Sequence, residues 1–265
     1  MTEVKKLAIG ITSALVKSMR KPCIRLFDKF YFKKYKCVIC NKKIKKFLRT
    51  GNDFMVFKKL SVISGGIREN SVCPKCGSLE RHRLEYMYIC RETDILQGKC
   101  KILHFAPEEL FMQIFSNRDN IDYFTADIVK GRAMCEVDIT NIPFGSNEFD
   151  YVICNHVLEH IPNEAKALAE IKRVLVLGGR ALLMVPIALA CETTIEKDNI
   201  TTDQERIDYY GQSDHVRLYG RDFHKQLEKA NFKVEMYIAK ENFNKEALKK
   251  FALIPDETVY IAINE

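Results

Sequence analysis

No run of apolar residues in the sequence approaches the ~18 that a membrane-spanning helix needs, so no transmembrane helix is expected. Leu7 to Val16, after Lys5 and Lys6, has the length of a signal-peptide core, but no small-residue cleavage site follows it. The ten cysteines show no regular disulfide-type spacing, which fits a reducing compartment and predicts a cytoplasmic chain. No G-x-G-x-x-G lies between a strand and a helix, and this argues against an NAD-type dinucleotide site. Internal repeats and low-complexity tracts are absent, as is any aromatic-rich motif of the kind that stacks RNA bases.

What is present is unevenly distributed. Residues 1–60 hold 17 Lys and Arg against three acids, a charge of +14, so residues 61–265 carry −7 within the net +7. A basic head on an acidic body places any contact with RNA or an anionic membrane surface in residues 1–60. Val4, Leu7, Ala8, Ile11, Leu15 and Met19 recur at helical spacing with Lys5, Lys6 and Lys17 off the stripe, which predicts a basic amphipathic helix in a 1–36 segment. Such a helix suits a location peripheral to the membrane, or packing on the protein's own body or on a second subunit.

Residues 37–77 contain two C-x-x-C knuckles, Cys37–Cys40 and Cys73–Cys76, separated by 32 residues. Four thiolates brought together give the tetrahedral sulfur shell of a structural Zn²⁺ site, and a module of ~40 residues needs such a staple to fold. The intervening Phe54, Val56, Phe57, Leu60, Val62 and Ile63 suggest a hairpin beneath the metal. A charged helix over 78–98 then reads as a linker.

From residue 99 the pattern alternates between strands and helices, the signature of an α/β fold with a parallel sheet. Strands are predicted at Lys101–Phe105, Tyr123–Ile128, Tyr151–Cys154, Arg180–Pro186, Phe232–Ile238 and Val259–Ile263. Helices are predicted at Glu108–Phe115, Glu164–Val176 and Arg221–Ala230, with Asn163 as N-cap and Gly178-Gly179 as the stop of the second helix. Ligands in such sheets bind beyond the carboxyl ends of strands, which brings forward His104 to Glu108, Asp127 and Ile128, and Asn155 and His156. Asp127 lies 23 residues beyond His104, and an acid about 20 residues past the first turn accepts hydrogen bonds from ribose hydroxyls in nucleotide-binding α/β folds.

Read in order, the run Leu103-His104-Phe105-Ala106-Pro107-Glu108, the Val137-Asp138-Ile139-Thr140 loop, Ile142-Pro143-Phe144 through Phe149-Asp150, the 149–160 block and Arg173 to Gly179 resemble class I S-adenosylmethionine-dependent methyltransferases. The 73–83 run resembles a subgroup of these with an N-terminal zinc ribbon. The resemblance implies a Rossmann-like methyltransferase sheet, mostly parallel with an antiparallel last strand, beside a small zinc-ribbon module. It implies S-adenosyl-L-methionine as cofactor, held by Phe105, Ala106, Pro107, Glu108, Asp127, Ile128, Asp138, Ile139, Asn155 and His156, with structural Zn²⁺ on Cys37, Cys40, Cys73 and Cys76. Ala106 and Glu108 stand where the family usually has glycines; Glu108 is expected to pair with the cofactor's amino group or to favour its helix N-terminus.

The Gly211–Gly220 block resembles a "DHVRxYG" run of the same subgroup, and the resemblance implies that it faces the methyl acceptor. His215 is the expected base there, with Asp214 or Arg217 orienting it or the substrate; a hydrogen-bonded lid is the alternative. His156-x-x-Glu159-His160 also matches the H-x-x-E-H pattern of inverted zinc peptidases. A metal on His156, Glu159, His160 and His215 is what a similar E-x-x-E-H run in some methyltransferases implies, whereas the plainer expectation is that Glu159 and His160 cap and pack a helix. The acceptor is unidentified, with a glycan, lipid-linked compound or other small molecule favoured. An RNA methyltransferase, or a non-catalytic nucleic-acid-binding scaffold with a degenerate pocket, is the alternative.

Overall fold

The computed structural model describes residues 35–265. The basic amphipathic helix expected before Tyr35 lies outside the described residues. The elements, in chain order, are β1 Tyr35–Lys36, β2 Lys43–Ile44, β3 Leu48–Thr50, α1 Met55–Lys59, β4 Arg68–Val72, α2 Glu80–Glu92, β5 Cys100–Phe105, α3 Glu109–Phe115, β6 Ile121–Asp127, β7 Cys135–Glu136 and β8 Phe149–Asn155. A 3₁₀ turn at Leu158–His160 follows, then α4 Glu164–Val174, β9 Leu175–Met184, α5 Asp203–Tyr210, α6 Phe223–Lys229, β10 Lys233–Ile238, α7 Ala239–Asn242, α8 Lys245–Phe251 and β11 Thr258–Ile263.

Seven strands make one sheet in the order β10-β11-β9-β8-β5-β6-β7. The pairs β5–β6, β5–β8, β6–β7 and β8–β9 are parallel, while β11 runs antiparallel to both β9 and β10. This is the Rossmann-like methyltransferase architecture that the resemblance implied, including the antiparallel last strand. Both faces are covered, as a parallel sheet requires. Alternate residues serve opposite sides: Leu103, Val152 and Leu183 pack with Leu168, Ile171, Phe223 and Leu227, whereas Ile102, Ile153 and Leu182 pack with Leu84, Tyr88, Phe111, Phe115 and Phe251.

Three expectations change. The helix expected to run to Val176 stops at Val174, and Gly178-Gly179 lies inside β9, where four residues bulge between the Phe149–Leu175 and Tyr151–Arg180 pairs. Gly178 takes φ +79 there. Asn163 does cap α4, its side chain accepting from the Lys166 N–H at 3.1 Å.

Secondly, residues 54–63 do not form a hairpin under the cysteines. They make α1 and a loop whose Val56, Phe57 and Val62 pack with Ala188, Ile200, Tyr210 and Leu218 from the segment after β9. Gly211 shows how close this approach is: it sits at φ +89, and a Cβ there would lie 2.1 Å from the Phe57 ring.

Thirdly, α2 is not a spacer. It lies on the sheet with Leu84, Met87, Tyr88 and Ile89 in the core, and its Glu80, His82, Arg83 and Glu85 are buried too. Arg83 is 0% exposed and donates to the carbonyls of Ser71, Ser78, Phe251 and Ala252 at 2.8–2.9 Å. It thereby ties the cysteine knuckle to the end of α8. Among the described residues no helix is long and apolar enough to cross a membrane.

Candidate functional site

Phe105 is in register with both Ala126 and Cys154. The next residues on the three central strands, Ala106, Asp127 and Asn155, therefore emerge side by side at one edge of the sheet. Ala106 turns with φ +45 and His156 with φ +53, so two non-glycine residues sit in the left-handed region at adjacent strand ends. Such strain concentrates at sites whose surroundings hold it in place.

A buried polar chain backs this edge. The Tyr123 hydroxyl lies 2.8 Å from His104 Nδ1, and His104 Nε2 lies 2.8 Å from Glu108 Oε2. An ionised Glu108 can only accept, so Nε2–H donates to it and Nδ1 receives the tyrosine proton. Burial alone would raise the Glu108 carboxyl, but the His104 ring bonded to it, with His82 and Arg81 beyond, holds it down at about 2. Glu108 stands at the N-cap position of α3, but its side chain makes no cap bond to the helix. Asn155 Nδ2 donates to Glu85 Oε2 at 2.8 Å and faces Glu108 Oε1 at 3.4 Å. Burial, with the Glu108 charge close by, pushes Glu85 well up, so it is held as the neutral acid. Burial next to Arg81 brings His82 down to about 3, so this imidazole is neutral.

Several of these groups have an atom left over. Glu85 Oε1, Asn155 Oδ1, His82 Nε2, His156 Nε2 and Arg81 Nε are buried with no hydrogen-bond partner among the described residues. Native structures rarely leave such atoms unpaired, and a cluster of them at the strand ends needs polar partners that water or a ligand would supply. Arg81, His82 and Glu85 come from α2 and were missed in the sequence reading. The Glu80–Arg83 run was visible there, but helical spacing alone does not show which face meets the strand ends.

The nucleoside side is more open. Asp127 is half-buried, with Oδ1 accepting from the Val129 N–H at 2.7 Å, and Ile128 beside it is 67% exposed. Asp138 is exposed and accepts from the Thr140 N–H at 2.8 Å. Ile139 and Phe105 are buried in the core, so of the apolar residues expected at the cofactor Ala106 and Ile128 are the exposed ones. Pro107 is half-buried in the turn.

On the acceptor side the expected pairing is different. Asp214 stands against His160, with 3.2 Å between Oδ2 and Nδ1, rather than against His215. His215 is 1% exposed and neutral, its pKa lowered by burial and by His160. Arg217 uses all five N–H groups on the carbonyls of Leu158, Ile161 and Pro162 and on Glu196. It clamps the 158–162 loop and is not free to orient a substrate. Residues 158–160 form a 3₁₀ turn, not the start of a helix.

The four cysteines converge as expected. All four Sγ atoms lie within 4.8 Å of one another, with Cys37–Cys76 at 3.6 Å and Cys40–Cys73 at 3.8 Å. Sulfurs bound tetrahedrally at ~2.3 Å would stand about 3.8 Å apart, so the arrangement fits zinc. Their thiols form no disulfide.

Residues 112–183 match the family model described as a methyltransferase domain, a stretch that begins just beyond the altered His104–Glu108 turn. An uncharacterized protein of Methanocaldococcus jannaschii is 31% identical over 107 residues, 40% of this chain and 38% of that protein. The chain thus spans well under half of that relative's length. Phosphoethanolamine N-methyltransferase 2 of Haemonchus contortus, solved with S-adenosyl-L-methionine, is similar with a TM-score of 0.41 and 15% identity over 63% of this chain and 49% of that one. The 1,6-didemethyltoxoflavin-N1-methyltransferase of Burkholderia thailandensis, solved with 1,6-didemethyltoxoflavin and S-adenosylhomocysteine, has a TM-score of 0.43 and 12% identity over 70% and 78%. On the family match and the strand order, this chain carries a methyltransferase domain on a Rossmann-like sheet, joined to a four-cysteine module.

Proposed function

We propose that the protein transfers a methyl group from S-adenosyl-L-methionine to an acceptor bound on the His160 side of the strand ends. The observation that carries this reading is the set of unpaired buried atoms around Arg81, Glu85 and Asn155. An amino acid's ammonium needs acceptors and its carboxylate needs a cation, and both are present. Glu108 and Asn155 Oδ1 would accept from the ammonium, and Arg81 would meet the carboxylate. Asp127 would accept from the ribose hydroxyls, Ile128 would pack against the adenine, and Asp138 would accept from its amino group. The bound cofactor supplies a methyl group activated by its sulfonium. The chain's part is to hold the acceptor in line with it and to exclude water. Zn²⁺ on Cys37, Cys40, Cys73 and Cys76 would have a structural role, since four thiolates leave no open position for chemistry.

Calorimetry with S-adenosylmethionine and its demethylated product tests the reading. Binding is expected, and Asp127→Ala should weaken it by roughly ten- to 150-fold, the loss of one hydrogen bond to a charged group. If neither compound binds at millimolar concentration, the proposal fails and a non-catalytic scaffold with a degenerate pocket takes its place. A screen of small glycans, lipid-linked compounds and RNA with labelled cofactor then identifies the acceptor.

A further inference from the structure

We infer that Glu159, His160 and His215 form a binding site for one divalent transition-metal cation, distinct from the four-cysteine site. One carboxylate oxygen of Glu159 and one ring nitrogen from each histidine lie within 4.8 Å of one another. Ligand atoms bound to such a cation at ~2.1 Å stand about 3–4 Å apart, so small side-chain rotations complete the shell.

The donors are present and unused. Glu159 is 1% exposed and its Oε2 has no partner among the described residues; His215 is also 1% exposed, and neither ring nitrogen meets a hydrogen-bond partner. The Tyr210 backbone bears on that ring without completing a bond. A buried imidazole and a carboxylate that merely filled space would be expected to find partners.

The surrounding residues arrange these donors as a metal site requires. Asp214 Oδ2 lies 3.2 Å from His160 Nδ1 and so occupies that nitrogen, which leaves Nε2 for a cation, the carboxylate–histidine support found behind metal-bound imidazoles. The His160 and His215 rings are perpendicular, 4.6 Å between centroids. His156 Nδ1, 3.3 Å from Glu159 Oε1, holds the carboxylate from its other side and so supports the site without ligating. The Val216 N–H donates to the Glu159 carbonyl at 2.9 Å, and Arg217 clamps the loop on both sides of it. Two segments some 55 residues apart in sequence are thereby locked into one frame.

One oxygen and two nitrogens suit Mn²⁺, Fe²⁺, Co²⁺ or Zn²⁺ rather than Mg²⁺ or Ca²⁺, which prefer oxygen alone. Three protein ligands leave positions for water or an oxygen of the acceptor, and the His160 side chain, 31% exposed, marks the open edge.

The test is a Co²⁺ titration of the full chain with its cysteine site loaded with zinc, followed by visible absorption. Co²⁺ on nitrogen and oxygen gives weak d–d bands, whereas thiolate ligation adds intense charge-transfer bands in the near ultraviolet. Saturation at one Co²⁺ per chain with weak bands only is expected. His160→Gln should weaken binding by at least tenfold, and Asp214→Asn by about tenfold, with melting temperatures unchanged because both side chains are partly exposed. No saturable binding up to millimolar Co²⁺, thiolate bands alone, or unchanged affinity in His160→Gln would overturn the inference and leave bound water as the occupant. Cofactor calorimetry on the same sample reads separately, so failure of the cation site is distinct from failure of the methyl-transfer reading.

Discussion

Replacing Arg83 by methionine removes the guanidinium and keeps much of the apolar volume. Four backbone carbonyls, on Ser71, Ser78, Phe251 and Ala252, lose their donor in an environment that water does not reach. Hydrogen bonds from a charged donor contribute roughly 1.5–3 kcal/mol each, but four on one group are not additive, and removing a buried charge returns part of its desolvation cost. The net loss should be about 3–5 kcal/mol, in line with other broken buried charge networks, against a total stability of about 5–15 kcal/mol. For a domain of this size each kcal/mol moves the midpoint by about 2–4 °C, so thermal unfolding should shift down by roughly 6–20 °C. Packing of the guanidinium over Phe47, 4.2 Å from the ring centroid, adds to the loss. Arg83→Lys should restore less than half of it, because a single ammonium cannot span both pairs of carbonyls. Zinc should also become easier to remove with a chelator, since Ser71 and Ser78 flank the second knuckle. A melting temperature within about 2 °C of the unchanged protein would refute the idea that Arg83 fastens the module to the sheet.

Metal analysis of protein purified without added metal should find close to one zinc per chain in the cysteine site, and a Cys37→Ser, Cys76→Ser double variant should lose that zinc and melt lower. Glu257 is buried, hydrogen-bonded by the Ser64 hydroxyl at 2.6 Å, and its carboxyl is raised from 4.5 to about 7, chiefly by burial and also by Glu80. Between those values the folded state keeps a proton that the unfolded chain releases, so stability falls as pH rises, by up to about 3 kcal/mol above pH 7. Glu257→Gln should flatten that decline in urea unfolding at pH 5 and pH 8; an unchanged slope would show that Glu257 ionises normally. Deleting residues 1–34 should leave cofactor affinity intact but weaken binding to acidic vesicles or RNA in a salt-sensitive way, and loss of cofactor binding would place that segment in the core fold.

The sequence by itself determined the central strands of the sheet, the helices that follow them and the order of chemistry along the chain. Alternating apolar strands and capped helices follow from local periodicity, and C-x-x-C pairs or an acid at a strand end are local patterns, so Cys37 to Cys76, Asp127 and Asn155 could be read directly. It also indicated a parallel sheet, because the spacing of strands leaves room only for crossover helices. Only the tertiary structure decided which side chains meet. The pairing of Asp214 with His160, the clamp that Arg217 places on 158–162, and the arrival of Arg81, His82 and Glu85 at the strand ends all join segments far apart in sequence. Whether a charged helix is a spacer or a wall of the site depends on the face it buries. The surface opposite it settles that, and that surface is made by other parts of the chain.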